Sequence, residues 1–249
     1  MLQFIYRTFL MSFKERNINF MIINGLQKTT LLDFPGKVAC TVFTGGCNFR
    51  YPFCHNASLV ISPDFSNIIP EDEFFSFLNK RKGILDGVCI TGGEPLLQRD
   101  IEDFMKKIRD IGLAVKLDTN GSFPERLKAI LNARLVDYVA MDIKNSEEKY
   151  SETCGVSVDT SKISESISAL MVSGVPFEFR TTVVKELHTP QDIVAIASWI
   201  SGAPRYFLQS FTDSGDIISS GLSAYSPEEM KQILASAQKI IPSAELRGV

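Results

Sequence analysis

The sequence lacks the features that mark several large classes of protein. It has no excess of basic residues, because 26 lysines and arginines face 29 aspartates and glutamates, which gives a formal net charge of -3. A surface that follows a phosphate backbone needs such an excess, so we expect no nucleic-acid partner. Long apolar runs are also missing: near the start, short apolar pieces are broken by Arg7 and Lys14. They are too short for a membrane span or a signal-peptide core, so we expect a cytoplasmic protein with no membrane partner.

Cysteines are too few and too scattered for a disulfide framework. The chain has five, an odd number that argues against systematic pairing in a cytoplasmic protein. Cys40 and Cys89 lie in apolar runs, where a small buried side chain is the expected role, and Cys154 is isolated. Only Cys47 and Cys54 share a loop. The sequence therefore offers two candidate metal ligands in one place.

What is present is the composition of an ordinary globular protein. A chain of 249 residues with 45% hydrophobic and 22% charged residues suits one large α/β domain. We assign this domain to residues 22–249 and treat residues 1–21 as an N-terminal extension. The extension differs from the rest, and Met11 and Met21 are alternative starts.

Six apolar runs predict β-strands separated by helices. The strands are predicted at residues 38–43, 88–91, 113–118, 138–143, 177–184 and 206–211. They do not alternate strictly with polar residues, which is typical of a parallel sheet. Helix starts are marked at Thr189-Pro190 and Ser226-Pro227 by a capping hydroxyl followed by proline. Six βα units form either an incomplete TIM-like barrel or an open doubly wound sheet.

The polar residues at the strand ends favour the barrel. Each of the first four strands runs into a polar motif, namely TGGC (44–47), TGGEP (91–95), DTNG (118–121) and MDIK (141–144). The last two strands carry Arg180 and Gln209. In a barrel these groups would converge at one C-terminal rim, whereas an open sheet would spread them along a line. We therefore predict an α/β fold with a partial TIM-like (β/α)6 barrel.

These motifs carry a family resemblance. CNFRYPFCHN (47–56), TGGEP, DTNG and MDIK, in this order, resemble the radical S-adenosylmethionine superfamily, and within it the activating enzymes of glycyl-radical proteins. KTTLLDFPGKVACTVFTGGCNFR followed by PFCHN is similar to anaerobic ribonucleoside-triphosphate reductase activating proteins. The resemblance implies a [4Fe-4S] cluster held by three cysteines, with one iron open to S-adenosylmethionine. Cleavage of this cofactor yields a radical that removes a hydrogen atom from a glycine of the partner protein.

The resemblance also implies roles for individual residues. Cys47 and Cys54 would hold the cluster. Contacts with S-adenosylmethionine are implied for Gly92, Gly93, Glu94, Asp118, Asp142, Lys144 and Arg180.

Each implied contact has a simpler structural interpretation. The glycine doublet fits a tight turn, Asp118 fits a βα turn, and Asp142 with Lys144 fits a surface ion pair. Arg180 could pair with Glu178 on its own strand. His55 follows Cys54 as it does in the activases, whereas His188 has no assigned role.

Tyr51 departs from the family pattern. It stands where the family places its second cluster cysteine. A phenol has a reference pKa near 10, against about 8.5 for a thiol, and its oxygen is a harder donor than iron-sulfur clusters prefer. The phenolic oxygen also lies farther from Cβ than a thiolate sulfur does. We therefore expect an incomplete ligand set, a labile cluster and impaired activity.

Three hypotheses remain open. The chain is a radical enzyme that activates an anaerobic ribonucleotide reductase, a catalytically impaired relative that binds S-adenosylmethionine or a partner, or an unrelated (β/α) enzyme with accidental motifs. The intact TGGEP, DTNG and MDIK motifs argue against the third. The sequence has no cysteine-rich insertion, so we expect no second cluster. An activase of this kind would then take its electron from an external donor such as a flavodoxin or ferredoxin.

Overall fold

The computed structural model describes residues 21–61, 66, 68–213 and 215–248. Residues 1–20 of the predicted N-terminal extension lie outside this range. Met21, which we assigned to the extension, is buried in the hydrophobic core. The division of the chain at residue 22 stays a prediction.

One eight-stranded sheet forms the centre of the molecule, and its strands lie side by side in chain order. The strands are β1 (Ile23–Thr30), β2 (Ala39–Thr44), β3 (Gly87–Gly92), β4 (Ala114–Thr119), β5 (Tyr138–Asp142), β6 (Phe177–Val183), β7 (Tyr206–Ser210) and β8 (Ala244–Arg247). β1 is antiparallel to β2, and all the other neighbours are parallel. Strands β1 and β8 form the two edges, so the sheet is not a closed barrel. The predicted fold class, an α/β partial barrel, is confirmed.

The helices occupy the connections between the parallel strands. They are α1 (Ala57–Ile61), α2 (Glu71–Lys80), α3 (Ile101–Asp110), α4 (Pro124–Asn132), α5 (Tyr150–Cys154), α6 (Thr160–Val172), α7 (Pro190–Trp199) and α8 (Pro227–Gln238). The helix starts predicted at Thr189 and Ser226 are confirmed, and these two residues form capping boxes with Asp192 and Glu229. Within the part of the chain that the structure describes, no helix has the length and apolar character that a bilayer crossing requires.

The interior of the partial barrel is polar rather than apolar. Lys116 on β4 and Glu178 on β6 are 2% and 1% exposed, and both are paired with an opposite charge. Glu178 accepts two hydrogen bonds from the Arg247 guanidinium at 2.7 and 2.9 Å and one from the Tyr138 hydroxyl at 2.7 Å. The apolar residues of the strands instead pack against the surrounding helices in one large core.

Candidate functional site

A cavity of about 190 Å³ opens at the C-terminal ends of the parallel strands. It is lined by Cys47, Tyr51, Phe53, His55, Asn56, Thr91, Gly92, Gly93, Asp118, Thr119, Asn120, Asp142, Lys144, Arg180, Thr182 and Gln209. The strand-end motifs therefore meet at one face, as expected for a barrel. Cys54 and Glu94, which the family resemblance assigns to the cluster and the cofactor, are buried and do not line the cavity.

The cysteine loop, residues 47–56, packs on the C-terminal end of helix α5. The backbone N–H of Arg50 donates to the Cys154 carbonyl at 2.8 Å, and its guanidinium donates to the Cys47 carbonyl at 2.6 Å. Gly155 lies directly under this loop with φ +66°, and a side chain there would overlap the Arg50 carbonyl. Helix α5 and Gly155 thus support the loop that presents Cys47.

Tyr51 points into the cavity and contacts the groups around it. Its ring lies 4.2 Å from the Lys144 Nζ and 4.9 Å from the Phe53 ring. Burial, and then the nearby Cys54 and Asp142, raise the pKa of the Tyr51 phenol well above its usual value. The phenol is therefore neutral at physiological pH and is held as a packing group.

The donor set does not fit a cluster that needs three thiolates. Cys47 and Cys54 supply two sulfurs, and the third position holds the neutral phenol of Tyr51. Burial raises the pKa of the Cys47 thiol to about 11, which disfavours the thiolate in the metal-free protein. Across the described ranges of the chain, no three His, Cys, Asp or Glu side chains are placed so as to hold a metal ion.

The glycine doublet brings two loops into close contact. The Gly93 N–H donates to the Thr44 carbonyl at 2.8 Å, and the next N–H along the chain, that of Glu94, donates to the Gly46 carbonyl at 2.9 Å. A Cβ at Gly93 would overlap that Gly46 carbonyl, and one at Gly92, where φ is +110°, would overlap the backbone of Thr44. The glycines therefore permit backbone-to-backbone packing of the β2 and β3 ends beside the cavity.

Glu94 ties the end of β3 to the end of β4. Its carboxylate accepts hydrogen bonds from the Asn120 N–H at 2.7 Å, the Thr119 hydroxyl at 2.8 Å and the Leu96 N–H at 3.0 Å. Burial raises the pKa of Glu94 to about 7, although these hydrogen bonds oppose the shift. Both carboxylate oxygens of Glu94 therefore already accept hydrogen bonds from the protein itself. A contact with a ligand ammonium, predicted from the family resemblance, would require this arrangement to change.

A row of alternating charges crosses the cavity. Arg180 donates to Asp118 at 3.0 Å and to Asp142 at 2.8 Å, and Lys144 donates to Asp142 at 3.0 Å. Asp118 also pairs with the buried Lys116. Burial alone would raise the pKa of Asp142, but Arg180 and Lys144 outweigh it and hold that pKa far below its usual range. The cavity thus presents ionised groups of both signs.

The structure decides among the simpler interpretations given above. Arg180 pairs with the two aspartates and not with Glu178, and Asp118 lies inside β4 and does not form a turn. Asp142 and Lys144 do form an ion pair, but Lys144 is only 7% exposed in it.

The remaining histidines and cysteines fall into two groups. His55 is exposed and lines the cavity mouth, whereas His188 is fully buried between two loops. Cys40 and Cys89 are buried, as expected, although Cys89 lies against Lys116 and Asp118; Cys154, for which no role was predicted, is buried as well.

Sequence reasoning missed two contributors to the site. Lys116 lies two residues before Asp118, and a charge at this spacing in an apolar strand was a usable signal, because residues i and i+2 share one face. Asn120 belongs to the quoted DTNG motif, and its amide donates to the Asn48 side chain at 2.9 Å. Only the fold shows that this amide reaches the cysteine loop.

Comparison with known proteins adds to the geometry. The family model described as the Radical SAM superfamily matches residues 41–200. A protein of Methanocaldococcus jannaschii, named as a glycyl-radical enzyme activating enzyme, is 28% identical over 235 residues. That alignment covers 92% of this chain and 96% of the relative.

Two solved structures share the fold. A domain of the pyruvate-formate lyase-activating enzyme from Bacteroides vulgatus aligns with a TM-score of 0.55 at 19% identity, covering 65% of this chain and 99% of that domain. Streptococcus suis SuiB bound to S-adenosylmethionine aligns with a TM-score of 0.65 at 14% identity, covering 81% of this chain and 48% of that one. At such identities the likeness concerns the fold alone.

Proposed function

Because this chain belongs to the Radical SAM superfamily, we propose that it is a glycyl-radical activating protein that binds S-adenosylmethionine in the strand-end cavity. The family model spans most of the described parallel strands, and the Methanocaldococcus jannaschii relative named as an activating enzyme aligns along nearly its whole length. The partner we propose is an anaerobic ribonucleotide reductase. The stretch from Lys28 to Asn56, which is similar to the activating proteins of that reductase, supports this partner.

The charged row in the cavity is the observation that carries the proposal. S-adenosylmethionine is a zwitterionic amino acid joined through a sulfonium to adenosine, so its site needs an anion for the ammonium and a cation for the carboxylate. Asp118, Asp142, Arg180 and Lys144 supply both signs within one cavity. Asp118 or Asp142 would accept hydrogen bonds from ammonium or ribose hydroxyls, and Lys144 or Arg180 would donate to the carboxylate.

Tyr51 limits what the chain does with this cofactor. Two thiols and a neutral phenol do not make the three-thiolate set, so we expect the cavity to bind S-adenosylmethionine through its own side chains and to hold little iron. The sequence has no cysteine-rich insertion that could hold a second cluster. An activase of this kind would therefore receive its electron from an external flavodoxin or ferredoxin.

The second candidate function is a binding module without radical chemistry. The position of Tyr51 favours it, because the ring packs against Lys144 and Phe53, where an open cluster site would be required. Both candidates share the cofactor cavity and differ in whether a cluster assembles.

Calorimetric titration of the metal-free protein with S-adenosylmethionine tests the shared part. We expect measurable binding by the parent and a loss of about tenfold or more in Arg180→Gln, because this change removes a charge-assisted contact. Arg109→Gln is the matched control: Arg109 forms an ion pair of similar length, 2.7 Å to Asp137, far from the cavity lining. Its affinity should equal that of the parent. A parent that does not bind the cofactor would refute the proposed site.

A further inference from the structure

His188 is fully buried and has backbone partners at both ring nitrogens. Its Nε2 lies 2.7 Å from the carbonyl oxygen of Lys144, and a carbonyl can only accept, so we assign the proton to Nε2. Its Nδ1 faces the backbone of Val184, 3.1 Å from the N–H that donates to it and 3.3 Å from the carbonyl oxygen. Burial lowers the pKa of this imidazole, which keeps it neutral. The ring is thus a fixed bridge between the loop after β6 and the loop after β5.

The residue at the other end of this bridge is Lys144, whose ammonium is fixed inside the cavity. Lys144 Nζ donates to Asp142 and lies over the Tyr51 ring at 4.2 Å. The main chain of Lys144 has no strand partner at this point, since β5 ends at Asp142. Its carbonyl is instead held by His188. The side chain of Lys144 is therefore held by Asp142, and its backbone carbonyl by His188.

Further hydrogen bonds hold the two loops and the strand between them. The Asn145 amide donates to the Leu187 carbonyl at 3.0 Å, and the Thr181 hydroxyl donates to the Ile143 carbonyl at 2.8 Å. The His188 carbonyl itself accepts from the Tyr225 hydroxyl at 2.8 Å. His188 is the member of this set that bonds directly to Lys144.

We propose that His188 is a positioning residue that sets where the Lys144 ammonium stands in the cavity, and thereby tunes affinity for the carboxylate of an amino-acid ligand. This inference rests on the proposed cofactor site. The 2.7 Å bond ties the imidazole directly to the main chain of a cavity residue. The Phe53 ring, 6.1 Å from the imidazole, connects the same histidine to the cysteine loop.

Two conservative variants separate the two ring nitrogens. The side-chain amide of His188→Gln extends far enough to replace the Nε2 donor toward Lys144, whereas His188→Asn reaches only the Nδ1 position toward Val184. In titrations with S-adenosylmethionine we expect His188→Asn to bind about tenfold more weakly and His188→Gln to stay within about threefold of the parent.

The same variants made together with Lys144→Met form a double-mutant cycle. If His188 acts through the Lys144 ammonium, His188→Asn should cause little further loss once that ammonium is gone. An equal loss in both backgrounds would show a general structural role and overturn the proposal.

A ligand-free measurement keeps this test separate from the proposed function. The ε-methylene protons of Lys144 lie over the Tyr51 ring, so their NMR signals should be shifted upfield in the parent and in His188→Gln. His188→Asn should move them toward the values of a solvent-exposed lysine. If the parent does not bind S-adenosylmethionine, the proposed function fails, yet these signals still decide the role of His188. Signals that are identical in the parent and both variants would overturn the role.

Discussion

Tyr51 occupies the position that the family resemblance assigns to the second cluster cysteine. A cysteine side chain at this position would be small. The tyrosine ring is larger and packs between Lys144 and Phe53. The neighbouring Cys47 and Cys54 keep the positions that the family resemblance assigns to cluster ligands. The site therefore offers two thiols and one phenol, where the family resemblance implies three thiolates.

We expect Tyr51→Cys to restore a stable, oxygen-sensitive cluster. The change supplies the third thiolate, removes bulk, and leaves the hydrogen bonds that hold Arg50 to Cys154 and Cys47 in place. Anaerobic reconstitution followed by iron and sulfide analysis, with an assay for 5′-deoxyadenosine, measures the outcome. The variant should approach a full cluster per chain and cleave S-adenosylmethionine, and the parent should do little of either.

Tyr51→Phe is the control for this experiment. It removes the phenol hydroxyl and adds no thiolate, so it should hold as little iron as the parent. Our account of Tyr51 would be wrong if the parent held a full cluster and cleaved the cofactor as fast as Tyr51→Cys.

At the scale of elements, the site depends on how closely the ends of β2 and β3 approach. Gly93 makes this approach possible, because its N–H reaches the Thr44 carbonyl and any side chain there would overlap Gly46. The motif TGGEP thus has a packing role in addition to any contact with a ligand.

Gly93→Ala should push the two strand ends apart. We expect a loss of about 1–3 kcal/mol in the free energy of unfolding, as for other overpacked sites, and weaker binding of S-adenosylmethionine. Gly112→Ala is the control: Gly112 has φ +93° with open space around it, so alanine there costs about 1 kcal/mol of backbone strain and should leave cofactor affinity unchanged. Chemical denaturation and calorimetry measure the two effects. Equal affinities in both variants would contradict the packing role.

The elements themselves were largely predictable from the sequence. Each of the six predicted strands agrees with the structure within one residue at either end, because buried parallel strands are apolar runs with clear limits. β1 was missed because its sequence INGLQKTT is mostly polar and half exposed. β8 was missed because the four residues AELR are too short to form a pattern.

At the scale of the whole molecule, opposite charges form a continuous row through the barrel. Lys116, Asp118, Arg180, Asp142 and Lys144 alternate in sign from the interior to the cavity mouth. The sequence predicted most of these residues as cofactor contacts through family resemblance. The Asp142–Lys144 pair was one interpretation of the sequence, but the bonds from Arg180 to Asp118 and Asp142 could not be predicted, because they depend on the side-by-side register of β4, β5 and β6.

Removing one anion from this row should destabilise the protein in a pH-dependent way. Asp142→Asn leaves Arg180 and Lys144 with one fewer counter-charge, which we expect to cost about 3 kcal/mol of unfolding free energy at pH 7. The folded-state pKa of Asp142 lies below its usual value of 3.8, so its stabilising contribution is complete above that pH and is lost as the pH falls through the folded-state value. The gap between parent and variant should therefore narrow in acid.

Denaturation curves of both proteins between neutral pH and the acid limit of folding measure this gap. Asp103→Asn is the surface control, since Asp103 pairs with Lys106 in solvent and its loss should change stability little. A gap that widened as the pH fell would show that the folded-state pKa of Asp142 lies above its usual value, contrary to the ion row.

The course of the two edge strands has a practical consequence. Ile23, at the start of β1, pairs with Thr44 at the C-terminal end of β2, and β8 ends at Arg247 beside Gln209. The polypeptide therefore enters the first strand and leaves the last one on the side that carries the cavity. An affinity tag or fluorescent fusion attached next to either edge strand would stand on the rim that a large protein must approach. Assays of partner association should accordingly compare tagged chains with chains from which the tag has been cleaved.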